Sequence, residues 1–393
     1  MAVEGTQEGS KRKDGGKAAG RRRTANKREK LKPGMIIESQ VTKYEIIELL
    51  GSGGFGDTYA IKTECHAEHI NKRMLRLKME CEVLKVASQI PDPKKKLHFV
   101  PFYDSGRSDD IRFMVMGLVG PSIYELRKKL PDEKFSKASA WRISIEALDG
   151  IADLHDLGYI HRDIKPANFA IGLEDKQHTI YLLDFGIARK YLQADGQHKP
   201  PREKAKFVGT VGFASRGCHQ SVEQSRKDDL ETWCYMVIDL CAHKLIPWRC
   251  SATKEDVYAL KCELFQFDQK HHKIWDTVPK DFRRMMKYVD ELTYYQAPDY
   301  KMMQMHMDKI AKDEGIKIGN KPEWISKKSH DRKKKTAEQK SSPSEDDVED
   351  SEESTDSDRR KKKKKKKLTK ESGSGKKDQK NGSGKKRHDK KKK

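Results

Sequence analysis

The chain has 393 residues, with 83 Lys and Arg against 61 Asp and Glu, and its formal charge of +22 sits at its ends. Residues 1–43 hold 12 basic and 5 acidic side chains and residues 326–393 hold 27 and 14, so the middle is close to neutral and a nucleic-acid or anionic-membrane reading is excluded for it. No apolar run approaches the roughly 18 residues of a bilayer span, and the first residues lack the apolar stretch of a secretory signal, so an intracellular place, cytoplasm or nucleus, is expected.

In chain order, the first segment carries basic clusters at Lys11-Arg12-Lys13, Arg21-Arg22-Arg23 and Lys27-Arg28-Glu29-Lys30. It has too few apolar side chains to offset chain entropy, and a disordered tail over 1–43 is expected. From Tyr44 a strand-like run, Tyr44 to Leu50, enters a glycine cluster with Gly51, Gly53 and Gly56 in a G-x-G-x-x-G pattern. That spacing also serves dinucleotide sites, where a helix would follow at once. Here Tyr59-Ala60-Ile61-Lys62 follows, which is similar to the V-A-I-K strand of kinases.

Leu75, Met79 and Val83 then fall at helical spacing, as do Trp141, Ile145, Leu148 and Ile151, and later Leu230, Trp233, Val237, Leu240 and Cys241. The runs Phe113 to Met116 and Ile180 to Leu183 read as strands. Between them stands His161-Arg162-Asp163-Ile164-Lys165-Pro166-Ala167-Asn168, and 16 residues after Asn168 comes Asp184-Phe185-Gly186.

These polar positions suit phosphoryl transfer. Asp163 is placed to orient an attacking hydroxyl and accept its proton. Lys165, two residues on, can neutralise charge on the transferring group. Asn168 and Asp184 are oxygen ligands of the kind Mg²⁺ takes alongside phosphate oxygens.

With these motifs the chain resembles the protein kinases, and finer words resemble the casein kinase I group. Gly120-Pro121-Ser122 looks like that group's hinge, and Gly209-Thr210-Val211-Gly212-Phe213-Ala214-Ser215 stands where most kinases have A-P-E. Lys227-Asp228-Asp229-Leu230-Glu231 and Ala297-Pro298-Asp299-Tyr300 fit the same pattern, with tau-tubulin-kinase-like members nearest.

The resemblance implies an α+β, bilobal protein kinase fold over 44–325. A small β-rich N-lobe spans about 44–117, a larger helical C-lobe about 118–325, and tails flank both. It implies ATP and Mg²⁺ and protein substrates with Ser or Thr acceptors; the sequence itself gives no sign of a stable oligomer, and a monomer is expected. Lys62 would hold the α- and β-phosphates, paired with Glu80. Gly51, Gly53 and Gly56 would cover the phosphates, Met116 would be the gatekeeper and Leu118 the hinge residue beside adenine. Thr210 would hydrogen-bond toward Asp163 and Lys165, and Asp229 would anchor the catalytic loop.

Three departures stand out. Lys62 comes only six positions after Gly56, and six extended residues reach about 20 Å at most. Either most of a strand is lost or the lysine sits in an altered register, and a pseudokinase or scaffold with weakened ATP binding is the rival reading. Gly117 replaces the usual acidic residue beside the gatekeeper. Gly212 stands where close relatives often carry an arginine that recognises phosphate already on the substrate, with Lys204, Lys206 and Arg216 as nearby cations.

Seven cysteines, with no C-x-x-C pair, are expected to be reduced. No Cys/His spacing matches zinc, and His271-His272 reads as surface. After Ile325 the chain is acidic and serine-rich from Ser341 to Asp358, with Ser344, Ser351, Ser354 and Ser357 as candidate phosphate acceptors, and then Lys-rich. The basic clusters suit a nuclear-import receptor or nucleic-acid contacts, the latter weakening with salt. A nucleic-acid-associated protein working through its tails is the third reading.

Overall fold

A computed structural model describes residues 30–53, 56–62, 67–71, 76–108, 111–251, 253–319 and 321–325. The basic clusters apart from Lys30, the acidic serine block and the tail expected over 326–393 lie outside these residues.

The first part is an antiparallel sheet. Its strands are β1 (Ile36–Glu38), β2 (Lys43–Gly53), β3 (Gly56–Lys62), β4 (Ala67–Asn71), β5 (Phe102–Ser108) and β6 (Ile111–Gly117). They lie in the order β1-β2-β3-β4-β6-β5. Side chains alternate along a strand, so Tyr44, Ile46, Tyr59, Ile61, Phe113 and Val115 fall on one face and form a small core with Leu31 and Ile37. Tyr59 Oη accepts from the Leu31 N–H at 3.0 Å. The sheet thus reaches upstream of Tyr44, and part of the stretch expected as tail is ordered: Leu31 and Ile37 supply apolar surface and β1 pairs with β2.

The strand question left by the short glycine-to-lysine spacing is resolved by pairing. Gly53 lies opposite Gly56 and Glu45 opposite Lys62, so β3 is the direct return strand of a hairpin. β4 lies between β3 and β6 and pairs with both. No strand is lost: the V-A-I-K-like segment occupies the hairpin's second strand, and Ala67–Asn71 takes the place beside β6.

Helix α1 (Arg76–Ser88) buries Leu77, Glu80, Val83, Leu84 and Ala87, the stripe expected of an amphipathic helix. The rest is mainly helical: α2 (Ile123–Lys128), α3 (Lys137–Asp156), α4 (Arg216–His219), α5 (Arg226–Ala242), α6 (Lys254–Leu264), α7 (His272–Thr277), α8 (Phe282–Glu291) and α9 (Tyr300–Asp313). Ser122, Ser136 and Asp299 cap α2, α3 and α9 with side-chain oxygens. Trp141 and Trp233 are fully buried at the centre and both meet Phe282 edge-on. Their indole N–H groups donate to Met307 O at 3.1 Å and Ser144 O at 2.9 Å, so neither indole donor is buried unmet.

Two short ladders hold the loops between these helices. One pairs β7 (Tyr159–Ile160) with β10 (Arg189–Lys190), the other β8 (Phe169–Ile171) with β9 (Ile180–Leu182). The architecture is the α+β, two-part arrangement expected. Among the described residues no helix is long and apolar enough to cross a membrane, and six cysteines are unpaired thiols. His271, read as surface, is instead buried, while His272 is exposed.

Candidate active site

Strand β7 delivers the chain into the loop over residues 161–168, and the β8–β9 ladder anchors the chain on the far side of that loop. Asp163 is the hub. Its Oδ2 accepts from Lys165 Nζ at 2.7 Å and its Oδ1 from Thr210 Oγ1 at 2.8 Å. Lys165 Nζ also donates to Thr210 Oγ1 at 2.8 Å, which closes a three-membered ring of polar side chains. Asn168 Nδ2 donates to the Asp163 carbonyl at 2.8 Å, which leaves the Asn168 amide oxygen as an acceptor.

The loop is held from beneath. Asp229, buried near the start of α5, accepts from the backbone N–H of His161 at 2.6 Å and of Arg162 at 2.8 Å, and bonds His155 Nε2 at 2.9 Å. Burial by itself pushes this carboxyl up, but the His155 imidazole bonded to it, with His161, holds it below the usual carboxylate range. Arg162 adopts φ 68°, uncommon for a residue with a side chain. It donates from Nε to Ile187 O at 2.8 Å, and burial, then the neighbouring Arg189, lowers its guanidinium to about 10.

His161 accepts the Asp163 N–H at Nδ1 and bonds Leu183 O through Nε2 at 3.0 Å, which assigns the Nε2–H tautomer. Leu183 N–H donates to Asn168 O at 2.8 Å, so Asp184 comes directly after a residue tied to Asn168. Asp184 has φ 62° and accepts from the Gly186 N–H. The turn Phe185–Ile187 packs against α1, where a Cβ on Gly186 would come within 2.8 Å of Arg76 Cβ.

Thr210 is presented by Gly209, whose φ of +98° an L side chain rarely adopts. A Cβ there would stand 2.5 Å from Arg162 O, so only glycine lets the two loops approach.

Residues 44–306 match the protein kinase domain family. The chain belongs to the protein kinase family, on its serine/threonine branch. The Caenorhabditis elegans serine/threonine-protein kinase spe-6 is 30% identical over 311 residues, covering 76% of this chain and 80% of its own length. A second protein of that organism, provisionally named serine/threonine-protein kinase ZK507.1, is 37% identical over 261 residues, or 66% of this chain and 71% of itself. A third, provisionally named casein kinase I C03C10.2, is 31% identical over 281 residues, or 67% and 79%.

Within this kinase, Asp163, Lys165, Asn168 and Thr210 are brought together, and Asp184 is joined to them through the Leu183–Asn168 backbone bond. The nucleotide-side residues are less uniform. Gly51, Gly53 and Gly56 lie in the β2–β3 hairpin. Met116 is buried at the end of β6, and Leu118, half-buried, stands in the segment leading to α2. Gly117 admits Pro101, whose Cδ would lie 2.9 Å from a Cβ there. Lys62 is exposed at the end of β3, whereas Glu80 is 3% exposed on α1, and their pairing rests on the resemblance alone.

Arg216, expected as a nearby cation beside Gly212, is engaged by carboxylates. Its guanidinium bonds Glu231 at 3.1 Å and also Asp290. Glu223 is likewise bridged by Arg189 at 3.1 Å and by Arg202, which ties the segment after Asp184 to the helical part.

Sequence reading missed Lys261. Fully buried on α6, it donates from Nζ to Val211 O at 2.9 Å and Ala214 O at 2.6 Å, and bonds His219 Nε2 at 3.3 Å. A signal was there: Val257, Lys261 and Leu264 share the helix's inner stripe, and a lysine in an apolar stripe needs a partner.

Proposed function

We propose that the chain is an active casein kinase I-like enzyme, nearest to the tau-tubulin-kinase-like members, that moves the γ-phosphate of ATP to Ser or Thr hydroxyls of intracellular protein substrates in signalling. The observation that carries this reading is the Asp163 carboxylate bonded on one oxygen by Lys165 and on the other by Thr210.

In this reading the acceptor hydroxyl approaches Asp163, which orients it and takes its proton as the new O–P bond forms and the bond to the β-phosphate oxygen breaks. Lys165 places its ammonium where negative charge shifts during transfer. Thr210 keeps the carboxylate in one rotamer, and Asp229 keeps the loop backbone from drifting. Asn168 and Asp184 contribute an amide oxygen and a carboxylate, a donor set that fits Mg²⁺, which would screen the phosphate charge.

A second reading, a pseudokinase with weakened ATP binding, is favoured by the exposed position of Lys62 on the hairpin's second strand. The basic clusters support partners beyond the substrate, an import receptor or nucleic acid, and a place in nucleus or cytoplasm.

One experiment separates the kinase readings: transfer from labelled ATP to casein by the full chain, its Asp163→Asn variant and its Lys62→Met variant. Wild-type transfer with loss of at least a hundredfold in Asp163→Asn is expected. Equal signal in wild type and Asp163→Asn would overturn catalysis by this site, and unchanged transfer by Lys62→Met would remove that lysine from ATP binding.

A further inference from the structure

Beyond the ring around Asp163, the chain continues as a tight loop whose Phe213 and Ala214 N–H groups both return to Thr210 O, at 2.9 and 2.8 Å. The loop is pinned at three carbonyls: Trp248 Nε1 donates to Gly212 O at 2.8 Å, and Lys261 holds Val211 O and Ala214 O. Beside it opens a cavity of about 310 Å³ walled by Val211, Phe213, Tyr235, Ile246, Trp248 and Val257. That volume holds one large apolar side chain.

The charge around this cavity argues against phosphate. Asp239 lines it and is held by Arg127 and by His243 Nδ1 at 2.6 Å, so its carboxylate and the Arg127 guanidinium answer each other. Arg249, on the same lining, is exposed, and one solvated cation is a weak anchor. Gly212 contributes no side chain, and Arg216 is held by Glu231 and Asp290. The cavity begins one residue from Thr210, whose hydroxyl bonds the base. At about 3.5 Å per extended residue, it is within reach of a side chain a few positions from an acceptor held at Asp163.

We infer that this cavity is a substrate subsite that seats an apolar side chain close to the acceptor Ser or Thr, so that this kinase selects unprimed polypeptides with an aliphatic or aromatic residue there. The inference rests on the kinase reading and names its substrate class. Burying such a side chain is worth roughly tenfold to a hundredfold in kcat/KM.

The test uses the full chain and serine peptides with Ala, Leu, Phe, Asp or phosphoserine placed at each of the four positions on either side of the acceptor. Leu or Phe at one position should raise kcat/KM about tenfold or more over Ala, and phosphoserine at that position should bring no gain. Gly212→Arg is the reciprocal probe, because a Cβ at Gly212 meets nothing within 4 Å and the new side chain has room. It should cut the preference for Leu or Phe and favour phosphoserine. Val257→Ala, which widens the cavity, should move the preference from Leu toward Phe. A flat profile, or a wild-type preference for phosphoserine or Asp, overturns the subsite. Should no peptide and no casein be phosphorylated, the kinase reading fails by itself. Fluorescence-polarisation binding of the same peptides then decides the subsite, which is sustained by tighter binding of the Leu or Phe peptide and overturned by equal binding.

Discussion

Asp229 accepts hydrogen bonds from two consecutive backbone N–H groups, those of His161 and Arg162, at 2.6 and 2.8 Å. One buried carboxylate near the start of α5 therefore fixes the two peptide planes on either side of His161, just before Asp163. Arg162 keeps its left-handed backbone because this carboxylate faces it, and the strain is held by the fold.

Asp229→Asn retains the shape and loses the charge. An amide presents one oxygen and one N–H₂, so it cannot accept at both places, and one loop N–H is left facing a donor. A loss of about 3 kcal/mol in unfolding free energy is expected, with a drop in kcat. Urea denaturation and casein phosphorylation check this together. Stability and kcat both equal to wild type would show that the carboxylate does not hold the loop.

Thr210→Val removes a hydroxyl and keeps a branched side chain of similar volume. Asp163 Oδ1 then loses its donor and Lys165 loses one of its two acceptors. A fall in kcat of roughly tenfold to a hundredfold is expected, with KM for ATP little changed, and Thr210→Ser should restore most of it. Steady-state kinetics on casein give the readout, and a Val variant as fast as wild type would count against the positioning role.

Lys261 gives a pH dependence whose sign is set by its burial. Desolvation, opposed by Glu231 and Cys218, lowers its ammonium from 10.5 to about 7. Between those values the unfolded chain holds a proton that the folded chain has released. Stability from this group therefore rises with pH from about 7 toward 10, and its cost is complete below about 7. His219, lowered to about 4 first by burial and then by Lys261, and Tyr235, pushed well above its ordinary value by burial, titrate elsewhere. Melting temperatures of wild type and Lys261→Met at pH 6.5, 8 and 9.5 should show wild type gaining on the variant as pH rises. A gap that stays constant would disprove it.

The catalytic loop and Asp184-Phe185-Gly186 were legible in the sequence because their chemistry requires particular polar residues at short, fixed spacing. Asp229 was legible through the Asp-Asp-Leu-Glu context. The strand that carries Lys62 was not, for the opposite reason: a four-residue string does not say which neighbour it joins, and pairing with β2 decides that. Ala67–Asn71 has no period-2 apolar pattern to betray a strand. Arg216 looked like a spare cation because its partners Glu231 and Asp290 are 15 and 74 residues away. Lys261 and Glu223 share that difficulty, since long-range polar partners leave no local signature.

Both ends of the turn over residues 211–214 hang on the single side-chain nitrogen of Lys261, with an indole from Trp248 gripping the middle. A polypeptide laid across it meets a surface already ordered when the protein folded, so little freedom is surrendered on contact. Discrimination among visiting chains on such a platform is expressed in how long each stays, not in how fast it arrives.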